Sequence, residues 1–318
     1  MKHLFIVNPK AFFLKDYVDN VCTDIRLFFS NYPEVQYDIH VTRWKRDAVG
    51  FTRRYVSAAE RIVRVYAVGG MSTLMEVING VVGMPNAQVA AWPFGIDNVF
   101  LYNFGKDRVQ RFSSIRNLVF SEVSSFDLIR CGNNFGICAS FIGLEALAVQ
   151  AGDRIRSNID HLPSWVVRSG WLYVFSALYY AFKSGTVKTY QVVIDGTVLH
   201  GDYINILIAN QPYLGSNRYP AAEARPNNGL LDIYLVRFVR GIKFILLALD
   251  YAKGRYYKWP GYISHYRGKS VAVSSEKIME ICLDGEHFYD TAVEYEAVPQ
   301  ALDFALPHGQ ESLMDKRQ

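Results

Sequence analysis

At 318 residues, half of them apolar and a fifth charged, the chain is long enough for two domains and has the composition of a soluble globular protein. The net charge of +4 is mild and does not by itself argue for nucleic acid as a partner. The four cysteines lack C-x-x-C spacing, which argues against a disulfide framework or a zinc knuckle and fits a reducing cytosol. We therefore expect plain buried thiols at Cys22, Cys131, Cys138 and Cys282.

Neither a signal peptide nor a membrane span is predicted. The N-terminal apolar stretch runs for only about five residues before Asn8-Pro9, too short for the core of a signal peptide. The most membrane-like stretch, Trp165–Phe182, contains Arg168 and Gly170 and falls short of the roughly 20 apolar residues that a spanning helix needs. We expect a cytoplasmic protein whose membrane contact would be peripheral, at the inner face.

Strands and helices alternate over the first third of the chain. Apolar runs predict strands at residues 3–7, Tyr37–Val41, Ile62–Ala67 and Gln88–Trp92. Apolar residues at three- and four-residue spacing predict helices between them, marked by Leu14, Val18, Val21, Ile25 and Phe28, by Ala48, Phe51 and Tyr55 after a start at Asp47, and by the stretch Leu74–Val82. This alternation predicts a mostly parallel sheet with flanking helices.

After about Arg116 the pattern changes to strand upon strand. The predicted strands are Phe126–Arg130, Phe135–Ser140, Thr189–Ile194, Ile204–Ala209, Asp232–Phe238, Ser270–Val273 and Ile278–Leu283. Helical stretches at Trp165–Phe182 and Ile242–Ala252 interrupt them. The pattern predicts a second domain rich in antiparallel strands.

The stretch Val68-Gly69-Gly70-Met71-Ser72-Thr73 follows one of the predicted parallel strands and opens a helix. A strand, two glycines and a hydroxyl at a helix N-terminus suit a phosphate, because the backbone can approach an anion and unpaired N–H groups point at it. Asn8-Pro9 and the stretch Pro93–Asn98 follow other strands of the same sheet. Such turns gather at the carboxyl ends of the strands, where ligands bind in open α/β sheets.

Five short motifs occur in a fixed order along residues 1–307. They are Asn8-Pro9, Thr42 with Asp47-Ala48, Gly69-Gly70-Met71-Ser72-Thr73 with Glu76-Val77-Ile78-Asn79-Gly80, Leu283-Asp284-Gly285-Glu286, and Val298-Pro299-Gln300-Ala301-Leu302. In this order they resemble the diacylglycerol and sphingosine kinase-like lipid kinases, especially the compact bacterial ones.

The resemblance implies a nucleotide-binding α/β domain over residues 1–122, to which 296–310 returns, a β-rich lipid-binding domain over 123–295, and an active-site cleft between them. It implies transfer of the ATP γ-phosphate to a lipid hydroxyl, with Glu286 as general base and Asp284 near the metal or phosphate. It also implies ATP contacts at Asn8, Thr42, Gly69, Gly70, Ser72, Thr73, Gly95 and Asn98, and a magnesium site at Asn228 and Leu230.

Several positions depart from the family pattern. Met71 and Ser72 replace an aspartate and a glycine, so a carboxylate and a residue tolerant of left-handed angles are both lost. Ile96 replaces a threonine and Asn228 an aspartate. These changes remove groups that hold phosphate or magnesium. The sequence therefore does not decide whether the protein binds ATP and Mg²⁺. Two alternatives follow: a catalytically inactive pseudokinase that binds lipid or nucleotide, and a kinase of a soluble hydroxylated substrate.

Other features have competing interpretations. Asp284-Gly285 also reads as a plain hairpin turn with Glu286 on a solvated face, and His287 either tunes Glu286 or is incidental. The run Tyr251–Lys269 interleaves basic and aromatic residues and suits an anionic lipid surface, or is a solvated helix end whose aromatics join the core. The chain offers no recognised nucleic-acid module. The sequence does not decide whether the protein forms a homodimer.

Overall fold

The computed structural model describes residues 1–11, 16–94, 98–105, 107–158, 176–177, 179–181, 185–215 and 218–307. The chain divides into two compact units, Met1–Asp127 with the segment from Pro299 onward, and Leu128–Val298. The units divide after residues 127 and 298, whereas the sequence suggested divisions after residues 122 and 295. The predicted helix Trp165–Phe182 lies almost wholly outside the described residues.

The first unit is a parallel α/β sheet, as predicted. Its elements are β1 Lys2–Val7, α1 Tyr17–Ser30, β2 Gln36–Val41, α2 Asp47–Ser57, β3 Val63–Gly69, α3 Met71–Val81, β4 Ala87–Pro93, a 3-10 turn Val99–Phe104, α4 Arg108–Phe112 and α5 Ile115–Val119. The strands pair in the order β2, β1, β3, β4, and each pair is parallel. Every residue of β3 is buried, as expected for a central strand covered on both faces.

Helix α1 packs on the sheet through a stripe that includes Val21, Ile25 and Phe29. The sequence pattern suggested Phe28 in place of Phe29, and that detail is wrong. Phe29 is the buried ring because it stacks on Tyr37 of β2 with ring centroids 4.5 Å apart and also contacts Phe5 of β1 at 5.8 Å. Such aromatic contacts between elements stabilise a core beyond the area that they bury.

The second unit is rich in antiparallel strands, as predicted. Its elements are β5 Glu122–Cys131, which begins in the first unit, β6 Asn134–Gly136, β7 Ala139–Gly143, α6 Leu144–Asn158, β8 Lys188–Ile194, β9 Thr197–Tyr203, β10 Asn205–Ala209, β11 Leu231–Val236, α7 Ile242–Ala252, a 3-10 turn Tyr256–Lys258, β12 Ile263–Gly268, β13 Ser270–Leu283 and β14 Glu286–Leu306. Strand β7 pairs with β10 and β13, and β13 pairs with β8 and β14, all antiparallel. The end of β14 returns to the first unit, where Phe304 pairs with Val89 of β4.

The strands of this unit differ from the predicted ones in three ways. The predicted strand Phe135–Ser140 is two strands, β6 and β7, because backbone N–H groups at 137 and 138 bind a side chain and not a neighbouring strand. The predicted strands Ser270–Val273 and Ile278–Leu283 form one strand, β13, with a register shift between Ser274 and Met279. Strands β9, β12 and β14 were not predicted, because polar residues interrupt their apolar patterns.

The cysteines agree with the sequence expectation. Cys22, Cys131, Cys138 and Cys282 are all buried free thiols. In the part of the chain that the structure describes, none of the helices combines the length and the apolar content that crossing a bilayer requires.

Candidate functional site

The turn between β3 and α3 has the geometry of an anion site. Gly69 ends the strand, and a Cβ at this position would lie 2.5 Å from Thr73 Oγ1, so only glycine fits without displacing Thr73. Gly70 is the N-cap of α3, has extended angles, and provides no side-chain cap. Because the first N–H groups of a helix have no intrahelical partner, the start of α3 can receive a phosphate.

Asn8 and Thr73, both predicted to bind nucleotide, contact each other. Asn8 Nδ2 donates a hydrogen bond of 2.9 Å to Thr73 Oγ1, and Asn8 Oδ1 accepts one of 2.9 Å from the N–H of Lys10. Thr73 is buried, and because Asn8 donates to it the Thr73 hydroxyl keeps its own proton to donate. This pair fixes the end of β1 against the start of α3. Thr42 similarly ties the end of β2 to β1, since its N–H donates to Val7 O at 2.9 Å.

Met71 and Ser72 are the first two residues of α3, with Met71 half-buried and Ser72 exposed. The expectation that position 72 needs a residue tolerant of left-handed angles is wrong. Within the described residues, the non-glycine residues with positive φ are Arg46, Asp195, Asp284 and Gln300. Ser72 is therefore unstrained in an ordinary helical turn, and its exposed hydroxyl lies at the N-terminal end of the helix beside the glycine turn.

Other motif residues of this unit position α2 and α3. The Asp47 carboxylate accepts a hydrogen bond of 2.9 Å from the N–H of Arg43, and Glu76 Oε1 accepts one of 2.9 Å from the N–H of Arg46. A Cβ on Gly80 would lie 3.1 Å from a backbone carbonyl oxygen of α2, so the glycine permits close helix packing. These residues hold the loop after β2 and the helix pair in place.

Buried polar groups without partners lie at and after the end of β4. Asn98 is 6% exposed, and neither atom of its side-chain amide has a hydrogen-bond partner within the described part of the chain. Trp92 Nε1 is also buried and has no hydrogen-bond partner among the described residues. Buried polar groups usually find partners, so Asn98 has the properties of a residue that a polar ligand satisfies. Gly95, also predicted to bind nucleotide, lies outside the described residues.

Met71 and Asn228 stand where the family pattern has carboxylates, so a magnesium site would have fewer charged oxygen ligands than the resemblance implies. Asn228 Oδ1 already accepts a hydrogen bond of 3.0 Å from the N–H of Leu230, and Met71 offers no oxygen. No group of three or more His, Cys, Asp or Glu side chains suited to a metal ion occurs among the residues that the structure describes. Magnesium prefers carboxylates together with substrate phosphates, so ligation by the neutral amide of Asn228 stays a prediction.

In the second unit, Asp284-Gly285 forms the tight turn between β13 and β14. Both residues have positive φ, 47° and 92°, which is the geometry of a type I′ hairpin. The Asp284 carboxylate accepts hydrogen bonds from the N–H groups of Ile137 at 2.6 Å, Cys138 at 3.0 Å and Ala139 at 2.9 Å. Burial raises the pKa of the Asp284 carboxyl above its usual value, although the three donors act in the opposite direction. Asp284 thus anchors the hairpin, and its role near a metal or phosphate stays a prediction.

Glu286 is the first residue of β14, exposed, and opposite Leu283 in the hairpin ladder. The turn interpretation is therefore correct, and the same turn holds a carboxylate on a fixed support. His287 lies on the other face of the strand, since successive side chains alternate, with Nε2 3.6 Å from Asp153 Oδ2 and 3.9 Å from Cys282 Sγ. Cys282 is fully buried, and burial raises the pKa of its thiol, as expected for a structural cysteine.

Sequence reasoning missed Asp127. This residue is 1% exposed, and its carboxylate accepts a hydrogen bond of 2.9 Å from the N–H of Gln300, a residue with positive φ. The contact fixes the point where the chain returns to the first unit. An acidic residue within the apolar run Phe126–Ile129 was the available signal, because buried carboxylates require partners.

The comparisons with known proteins agree with this architecture. Two solved structures from Bacillus anthracis strain Sterne share the fold: one, described as a "putative diacylglycerol kinase", covers 98% of this chain and 96% of its own with a TM-score of 0.73 and 20% identity. The other, described as a diacylglycerol kinase, covers 98% of both chains with a TM-score of 0.66 and 18% identity. A protein of Staphylococcus aureus (strain Mu3 / ATCC 700698) named "Putative lipid kinase" is 26% identical over 244 residues, 75% of each chain.

These likenesses define the fold class as that of the two-domain diacylglycerol kinase-like proteins. Residues 142–306, over half of the chain, match the family of the YegS C-terminal NAD kinase beta sandwich-like domain. The chain belongs to this YegS and diacylglycerol kinase-like lipid kinase family.

Proposed function

We propose that the protein transfers the γ-phosphate of ATP to the hydroxyl group of a lipid, diacylglycerol or a relative of it. The observation that carries the proposal is the Asp284-anchored hairpin, which presents the Glu286 carboxylate on a support fixed by three hydrogen bonds. The relatives named lipid kinases and diacylglycerol kinases support the same class of reaction. A catalytic base needs such a fixed position, because proton abstraction depends on hydrogen-bond geometry.

The chain's own residues supply positioning and proton transfer. Bound ATP supplies the γ-phosphoryl group and leaves as ADP when the bond between its β- and γ-phosphates breaks. The backbone at Gly69 and Gly70, with the N–H groups at the start of α3, stabilises phosphate charge, and the Asn98 amide binds a polar group of the nucleotide. Glu286 accepts the proton of the lipid hydroxyl as its oxygen forms the new bond to phosphorus.

A second candidate function is a pseudokinase that binds nucleotide or lipid without turnover. Met71 favours it, because this residue gives neither charge nor oxygen at the start of α3, and so does Asn228, which is a neutral amide where the family pattern has a carboxylate. Phosphoryl transfer relies almost wholly on positioning and charge neutralisation, so losing such groups lowers the rate without unfolding the protein.

Transfer of label from γ-labelled ATP to a panel of acceptors tests the proposal. The panel contains diacylglycerol and a sphingoid base, both dispersed in detergent, and water-soluble alcohols and dinucleotides. We expect label in a lipid product. Label found only in a soluble product would mean that the substrate is a soluble alcohol and not a lipid. If a folded protein binds ATP but labels none of the acceptors, the result would favour the pseudokinase.

Restoring the family residues at the glycine turn is expected to strengthen nucleotide binding. In the variant Met71→Asp/Ser72→Gly, a carboxylate at the first position of α3 adds an oxygen ligand for phosphate-bound magnesium and suits the positive end of the helix dipole. We expect magnesium-dependent ATP affinity to rise about tenfold, by calorimetric titration, with only a partial gain in turnover.

The matched control is Met71→Asn/Ser72→Gly, which has the same shape without the charge. It is expected to bind ATP like the wild type. Tight binding of magnesium-ATP by the wild type, weakened in the aspartate variant, would mean that this turn binds nucleotide in a different mode.

A further inference from the structure

Helix α7 is apolar on two opposite faces. Phe244, Leu247 and Tyr251 are buried in the second unit. The opposite face exposes four aliphatic side chains, Ile242 at 68%, Ile245 at 38%, Leu246 at 50% and Leu249 at 62%. Their spacing places them on one stripe, where a surface helix of a soluble protein normally carries polar residues. Packing within the chain therefore explains one face of α7 and not the other.

The segment that contains this stripe is strongly basic. Residues 240–258 include five Lys or Arg and one acidic residue, Asp250, so this short stretch has the same net charge, +4, as the whole chain. Asp250 lies 3.6 Å from both Arg255 and Lys258, and its carboxylate also accepts a hydrogen bond from Trp259 Nε1. The single acidic group is thus shared by local partners, and the segment remains cationic.

Two of these cations stand beside the start of the apolar stripe. Arg240 and Lys243 are exposed and form no ion pair with any residue that the structure describes. The first turn of α7 contains no acidic residue, and cations near a helix N-terminus oppose the helix dipole. Protein stability therefore does not account for their position, whereas a negatively charged surface outside the protein does.

We infer that α7 lies flat on an anionic lipid bilayer, with Ile242, Leu246 and Leu249 in the headgroup and acyl boundary and Arg240 and Lys243 against lipid phosphates. An aliphatic stripe bordered by cations is the pattern of an interfacial helix. At about 1.5 Å per residue, an 11-residue helix is too short to span a bilayer. The exposed ring of Tyr257, in the turn that follows α7, suits the same interface.

This surface lies mostly before the patch Tyr251–Lys269 that the sequence pattern suggested, and shares only Tyr257 with it. Arg267, which the sequence pattern assigned to that patch, donates to Asp232 at 2.8 Å and to Glu223 at 3.1 Å. Its charge is largely compensated within the protein. The inference does not depend on phosphoryl transfer, because binding to a bilayer is measured without nucleotide.

Sedimentation with vesicles of phosphatidylcholine, with or without phosphatidylglycerol, tests the inference. The wild type is expected to bind the mixed vesicles, to bind neutral vesicles weakly, and to dissociate as salt rises. The variant Ile242→Asn/Leu246→Asn/Leu249→Asn is expected to lose about 100-fold in affinity through lost apolar burial. The variant Arg240→Gln/Lys243→Gln is expected to lose about 30-fold, mainly for the mixed vesicles.

Matched control variants remove the same kinds of side chain, an exposed leucine and two exposed cations, from other parts of the protein surface. Leu27→Asn changes a leucine that is 65% exposed on α1, and Arg26→Gln/Arg61→Gln removes two exposed cations. Both are expected to bind vesicles like the wild type and to melt at the same temperature. Because all changed side chains are exposed, the variants are expected to fold normally.

Three results would overturn the inference: no binding of the wild type to mixed vesicles, equal binding by the α7 variants, or equal losses in the controls. A wild-type dimer that becomes monomeric in the triple variant, with vesicle binding unchanged, would show that a second copy covers the stripe. Loss of vesicle binding with normal phosphorylation of detergent-dispersed lipid would support the inference and leave the proposed function intact.

Discussion

Replacing Glu286 with glutamine is expected to lower lipid phosphorylation by a factor of about 10² to 10⁴, the usual cost of removing a general base. The amide keeps the size of the side chain and cannot accept the proton of the lipid hydroxyl. Glu286 is exposed at the start of β14, so the melting temperature and the ATP affinity are expected to change little. Transfer of label from γ-labelled ATP to diacylglycerol measures the effect, with calorimetry for ATP.

Glu294→Gln is the matched control, since Glu294 is another exposed carboxylate of the same strand. It removes the same charge and is expected to phosphorylate lipid at the wild-type rate. Wild-type turnover in Glu286→Gln would remove Glu286 from the mechanism. An equal loss in both variants would attribute the effect to net charge.

Replacing Asp284 with asparagine is expected to destabilise the second unit by about 3 kcal/mol, because a buried N–H group left without an acceptor costs about 1 to 3 kcal/mol. The carboxylate binds three N–H groups through both oxygens, whereas an amide offers one oxygen and turns an N–H group toward a donor. Turnover is expected to fall as well, because the same turn holds Glu286. Urea unfolding and the label-transfer assay measure the two effects.

The Asp195-Gly196 turn between β8 and β9 provides the control. Its φ angles, 45° and 85°, match those of the first turn, and the Asp195 carboxylate accepts hydrogen bonds from the N–H groups of Ser270 and Lys269. These donors, Ser270 first, lower the pKa of Asp195, so the ionised form stabilises the fold above its usual pKa and this contribution is lost as the pH falls through the lowered value. Asp195→Asn is expected to destabilise less, since Asp195 is exposed, and to leave turnover unchanged. Loss of turnover in both variants alike would contradict a specific role for the Asp284 hairpin.

The parallel α/β half was predictable because its signals are local. The start of α2 at Asp47 follows from the spacing of apolar residues after a polar turn, and the structure begins the helix there. The start of α3 was placed three residues late, at Leu74, because apolar spacing does not show that Gly70 caps the helix in an extended conformation. Strand β14 was missed although exposed Glu294 and Glu296 alternate with buried Val293 and Tyr295, the pattern of a strand with one buried face, because only continuous apolar runs were assigned as strands.

The sequence selected candidate site residues but did not show their contacts. The sequence selected Asn8 and Thr73, but it assigned both to the nucleotide, while the structure joins them to each other across 65 positions of the chain. Asp284 meets the N–H groups of Ile137 to Ala139 across about 145 positions, and no local pattern carries such a contact. Side-chain roles that depend on tertiary packing therefore required the structure.

Calorimetric titration of ATP into the wild type and into Gly69→Ala, in the presence of Mg²⁺, tests most directly whether the β3–α3 turn binds nucleotide phosphate. The added methyl group would lie 2.5 Å from Thr73 Oγ1 and disturb the turn, so we expect saturable binding by the wild type and at least about a tenfold loss in Gly69→Ala. Gly152→Ala, where a Cβ meets no atom within 4 Å, is expected to bind ATP normally. A folded wild type that does not bind ATP, or a Gly69→Ala variant that binds it equally well, would contradict the assignment of this turn.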